Sequence, residues 1–105
     1  MNLPDTIELV VTKEDEAKGI RKSRENCPIA WSIKRTLNKP CKVGYGIVIL
    51  YKDEQLNQEE VRYQLTTRGV LLAMNFDNTG KIDDENRTIK LDRIFTPKDV
   101  KLECY

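Results

Sequence analysis

Apolar and polar positions alternate along this chain in two periods. Thr6 to Val11, TIELVV, is rich in β-branched residues and predicts a first strand. Thr12 with Asp15 resembles a capping box, with Asp in place of Glu, and starts a short helical turn through Glu14–Lys18. Gly19 ends it, and Ile20 is expected to tuck inward. A period near 3.6 then takes over. Ile29, Ala30, Ile33 and Leu37 form one stripe, which predicts the main helix from about Cys27 to Leu37. Asn26 is the expected N-cap and Pro28 suits the first turn. Asn38, Lys39 and Pro40 stop the helix.

Period two returns at Cys41–Tyr51, expected as one central strand because its second half is apolar on both faces. Gly44 and Gly46 on one face leave room for a bulge, a packed helix or a ligand. Glu60–Leu65 alternates and predicts another strand. Thr66 or Thr67 then caps a second helix with Val70, Leu71, Met74 and Phe76 facing inward, closed at Asn78-Thr79-Gly80. A strand over residues 69–76 fits the run Val70–Met74 as well. Thr88–Phe95 predicts a strand, and Val100 and Leu102 an edge strand after Pro97. Together these elements predict an α+β fold: a small, mostly antiparallel sheet of four or five strands with one principal helix packed on it. The length of 105 residues predicts a single domain.

Charge changes the picture. The net charge is only +1, but residues 18–42 hold eight bases and one acid, whereas residues 1–17 hold one base and five acids. A near-neutral chain with one concentrated basic segment fits a small anion or a local acidic partner, and a solvated helix face explains the same charges. Arg21, Lys22 and Arg24 stand just before the expected cap Asn26, at a helix N-terminus that favours an anion. Lys34 and Arg35 lie in later turns, where cations complement the helix dipole. Trp31 and Tyr45 offer flat faces for stacking on a base, or for burial against the sheet.

Other chemistry is scarce. With no histidine, Ser-His and Cys-His pairs and histidine metal centres are excluded. Cys27, Cys41 and Cys104 lack CxxC spacing, which argues against a disulfide framework or a zinc site and for the reduced cytoplasm. Cys27, at a helix start near Arg24, reads either as a lowered-pKa thiol or as a small buried apolar residue. No transmembrane run or signal peptide is apparent. No cofactor, metal or enzymatic activity is expected.

Residues 9–35, LVVTKEDEAKGIRKSRENCPIAWSIKR, resemble a family of short phage and prophage proteins whose text runs "VT..DI..G...D...CPIALALRR". Val11, Thr12, Asp15, Gly19, Cys27, Pro28, Ile29, Ala30 and Arg35 match, and Trp31-Ser32 depart from the usual Leu-Ala. The resemblance implies viral origin, a small α+β domain and the host cytoplasm, and it transfers no catalytic role.

Two expectations of different classes follow. The first is a binding protein that sequesters a phosphorylated small ligand, in its sharpest form a cyclic nucleotide immune signal held by an anti-defence sponge. Arg21, Lys22, Arg24, Asn26, Trp31, Arg35 and Tyr45 are its expected ligand-binding residues. The alternative is a protein- or nucleic-acid-binding inhibitor of a host factor, with the same basic segment meeting an acidic surface or a backbone. A homo-oligomer is expected on the grounds that Trp31, Val48 and Leu50 are too much apolar surface for so small a fold to hide.

Overall fold

A computed structural model describes residues 3–53, 55, 58–82 and 86–94. The strands are β1 (Thr6–Val10), β2 (Cys41–Val43), β3 (Ile47–Tyr51), β4 (Glu59–Leu65) and β5 (Thr88–Arg93). The helices are α1 (Lys13–Lys18), α2 (Pro28–Leu37) and α3 (Thr67–Thr79). The strands form one antiparallel sheet in the order β1-β5-β4-β3-β2, so the molecule is the expected α+β fold. α2 packs against the two edge strands and α3 against β4 and β5, so a second, longer helix joins the principal one.

The period-two pattern decides which side of each strand meets the helices. On β1 the buried residues are Ile7 and Leu9, which lie opposite Leu91 and Ile89 of β5. With Val43, Val48, Leu50, Tyr63 and Leu65 they pack under Ile29, Ala30 and Ile33 of α2 and Leu72, Ala73 and Phe76 of α3. Burial of such side chains contributes roughly 1.5–3 kcal/mol each. The opposite side of β3 buries a smaller cluster of Ile47, Ile49 and Tyr51, against which Ile94 packs.

Five expectations are corrected. The run from Cys41 to Tyr51 is a hairpin, not one strand: β2 turns through Gly44-Tyr45-Gly46 into β3, and the Gly44 amide donates to Ile47 O at 2.9 Å. Folding back reverses the alternation, so Val43, Val48 and Leu50 share the helix side while Ile47 and Ile49 face away. The N-cap of α2 is Cys27, whose Sγ accepts from the Ala30 amide at 3.5 Å, and not Asn26. Residues 69–76 are helical, but Leu71 and Met74 point outward, 60% and 41% exposed. Ile20 is 56% exposed rather than tucked in. Val48 and Leu50 are fully buried inside one chain, which removes two of the three residues behind the expected oligomer.

The capping box at α1 is present as expected: the Asp15 amide donates to Thr12 Oγ1 at 3.1 Å and the Thr12 amide to Asp15 Oδ2 at 3.0 Å. Among the described residues no helix is long and apolar enough to cross a membrane. Phe95, the edge strand expected after Pro97, and Cys104 lie outside the described residues, as do Asp83, Asp84 and Glu85.

Candidate functional site

A cleft of about 590 Å³ opens between α1, the loop that follows it and the C-terminal end of α3. Four cations line it: Lys13, Arg21, Lys81 and Arg87. Among the described residues Glu16 is the one acid in the lining, and Phe76 supplies an apolar wall. Each cation arrives from a different part of the chain. Lys13 opens α1, Arg21 follows Gly19, Lys81 follows the α3 stop at Gly80, and Arg87 precedes β5.

Two glycines shape the cleft. Gly19 lies so close to α2 that a Cβ there would sit 2.5 Å from Pro28 Cγ, so the chain can leave α1 along α2 only without a side chain. Gly80 holds φ +78°, the left-handed stop of α3, and its amide donates to Phe76 O at 2.7 Å.

Glu16 is already committed. Its Oε2 accepts from the Ile82 amide at 3.0 Å, and its Oε1 lies 2.7 Å from Arg87 Nη1. Among the described residues Nη1 has no aligned hydrogen-bond partner, so its contact with Glu16 is an ion pair in which charge rather than N–H direction supplies the attraction. Burial raises the Glu16 pKa, but the Ile82 amide bond, the ion pair with Arg87 and the charge of Lys13 outweigh it and hold the carboxyl below its ordinary value. A carboxylate held ionised in this way is a poor proton shuttle near neutrality.

The Arg21 guanidinium closes the end of α3. Nε donates to Asp77 O at 2.8 Å and Nη2 to Asn78 O at 3.0 Å, satisfying carbonyls at the negative end of the helix dipole. Next to it, Lys22 sits at φ +58° with its side chain exposed and its amide donating to Asp77 Oδ1 at 2.9 Å. Tyr45, at the tip of the β2–β3 hairpin, donates its hydroxyl to Asp77 Oδ2 at 2.8 Å. Burial, then the Asp77 bond and charge, push the Tyr45 phenol up to about 12. Lys22 and Tyr45 thus meet on the buried Asp77 carboxylate, and Arg21 on the backbone carbonyl of the same residue.

The other expected residues lie apart from this cleft. Arg24 has an exposed side chain, and its carbonyl accepts from the Val43 amide at 2.8 Å. The Asn26 amide donates to Ser23 Oγ at 3.1 Å, and its Oδ1 accepts from Lys34 Nζ at 3.4 Å. Trp31 is half-buried with Lys34 Nζ 4.8 Å and Lys18 Nζ 5.6 Å from its ring centroid, so cations already occupy that π surface. Arg35 Nη2 clasps Asp15 Oδ2 and Val10 O, each at 2.8 Å, and thereby ties α2 to α1 and β1. The N-terminus of α2 is itself buried: Cys27, Pro28, Ile29 and Ala30 are all in the core, and Cys27 Sγ takes the Ala30 amide. That terminus therefore offers no open anion site, and of the three cations expected before it Arg21 lines the cleft.

Lys13, Lys81, Arg87 and Asp77 were not legible as site residues. Asp77 and Arg87 are placed by contacts with residues more than fifty positions away, and Lys13 and Lys81 carry no local mark that sets them apart from other exposed lysines. Among the described residues no group of three or more His, Cys, Asp or Glu could hold a metal ion. Scans against protein-family models, curated proteins and solved structures return no match to this chain.

Proposed function

We propose that this protein binds and sequesters a small phosphate-bearing ligand in the cleft between α1 and the end of α3. The observation that carries the proposal is the lining: among the described residues, Lys13, Arg21 and Lys81 stand beside a Glu16–Arg87 ion pair in which the one carboxylate is already spent. Charge-assisted bonds from such groups contribute roughly 1.5–3 kcal/mol each, enough for two of them to set a useful affinity. Sequestration fits better than catalysis because the one described acid in the lining is tied to the Ile82 amide and to Arg87. The cyclic-nucleotide form of this reading is supported by the phage-like motif at residues 9–35 and by a cleft with an apolar wall at Phe76 beside its cations.

Calorimetric titration tests the proposal. Pyrophosphate, adenosine monophosphate and cyclic dinucleotides are compared with uncharged adenosine. Binding by at least one phosphate compound at micromolar concentration, with none by adenosine, is the expected result. Failure of every phosphate compound sinks the proposal and leaves the host-factor inhibitor as the function to pursue.

A further inference from the structure

Asp77 is 1% exposed, and two separate segments, the loop at Arg21-Lys22 and the hairpin tip at Tyr45, converge on it. Its carboxylate receives the Lys22 amide on one oxygen and the Tyr45 hydroxyl on the other, while its own carbonyl receives Arg21 Nε. A buried carboxylate is costly unless bonded, and these donors satisfy it only if the loop at Lys22 adopts its left-handed turn. That turn follows Arg21 directly, and Arg21 lines the cleft with its side chain against the stop of α3, where a Cβ on Gly80 would lie 3.5 Å from Arg21 Cδ.

We propose that Asp77 is the positioning residue of the anion cleft, with Tyr45 as its lock. It touches no ligand. It fixes the Arg21-Lys22 loop in the binding geometry before a ligand arrives, so the ordering cost is met in folding rather than in binding. Tyr45 thereby has a role other than stacking: its hydroxyl reaches across from the hairpin to hold the acceptor in place. The inference rests on the anion-binding function and adds how that site is held ready.

The test uses the full chain and pyrophosphate as probe, with calorimetry for Kd and nuclear magnetic resonance for the Lys22 amide. Asp77→Leu removes both acceptors at similar volume. It is expected to weaken binding at least tenfold and to speed exchange of the Lys22 amide hydrogen. Asp77→Asn keeps an oxygen for the Lys22 amide, and its NH2 can donate to the Tyr45 oxygen with the hydroxyl reversed. It is expected to recover most of the affinity and the slow exchange. Tyr45→Phe removes one O–H and is expected to weaken binding about threefold. Ile49→Val, on the far side of the sheet, is the control for general loss of stability and is expected to leave Kd unchanged.

Should Asp77→Leu not fold, Tyr45→Phe and Asp77→Asn carry the test. Unchanged Kd in Tyr45→Phe, or in a folded Asp77→Leu, overturns the positioning role, as does loss of affinity in Asp77→Asn equal to that of Asp77→Leu. If the unaltered protein binds no pyrophosphate or nucleotide, the anion-binding function fails and this role falls with it. Binding by the unaltered protein with equal binding by the variants refutes the positioning role alone.

Discussion

Asp15 and Arg35 show how a single contact ties this fold together. The Asp15 side chain is buried and accepts from Arg35 Nη2 and from the Thr12 amide. Burial raises its pKa, but bonds from Arg35 and Thr12 outweigh it, so the folded value lies below the ordinary 3.8. A depressed carboxylate contributes stability that is present above its unfolded pKa and is lost as pH falls through the folded one. Stability measured by urea unfolding is therefore expected to hold from pH 7 to about 5 and to drop below pH 4. In Arg35→Ala that acid-side drop should shrink, and stability at pH 7 should fall by about 1–2 kcal/mol, discounted because the guanidinium is half-exposed. An unaltered acid limb in the variant would show that other carboxylates set it. Asp15 was legible as a capping residue because its bond is three residues away; Arg35, twenty residues on, was legible as a helix-dipole cation and an expected ligand contact but not as the partner of Asp15.

Local periodicity found most of the elements and missed where chains turn and which way helices roll. β1, α1, α2 and β4 follow from their patterns within a residue or two. The β2–β3 hairpin was hidden because its turn, Gly44-Tyr45-Gly46, keeps apolar residues close on either side. In α3 the apolar run is continuous, so periodicity could not choose a face; packing on β4 and β5 chooses Leu72, Ala73 and Phe76. Leu72→Ala is accordingly expected to cost about 2–4 kcal/mol in urea unfolding, and Leu71→Ala under about 0.5. Equal losses would mean the helix is rolled differently from the structure. Gly19→Ala should cost about 1–3 kcal/mol, because the new methyl meets the Pro28 ring and the chain path between α1 and α2 must shift. A neutral Gly19→Ala in the same assay would place that path farther from α2.

At the scale of the whole molecule, charge that looked concentrated in residues 18–42 is redistributed by folding. Arg35 and Lys39 go to carboxylates and Lys34 to a carbonyl, while Lys13, Lys81 and Arg87 from outside the segment join Arg21 around the cleft. Linear charge counting could see neither transfer. Lys13 and Lys81 have exposed side chains, so reversing them should change stability by no more than about 0.5 kcal/mol. The double change Lys13→Glu with Lys81→Glu replaces two attractions by two repulsions, and pyrophosphate affinity should fall about a hundredfold or more. Salt separates a small ligand from a nucleic acid. A cleft holding one compact anion should lose less than about tenfold in affinity between roughly 50 and 200 mM salt, because its contacts are few and lie within a Debye length. A duplex spread over six to ten phosphate contacts would lose about 10³–10⁵ over the same range. Calorimetry of the unaltered and doubly reversed chains at both salt concentrations makes both measurements. A double variant that binds as well as the unaltered chain would move the ligand away from the cleft, and a slope of the duplex size would turn the function toward nucleic acid.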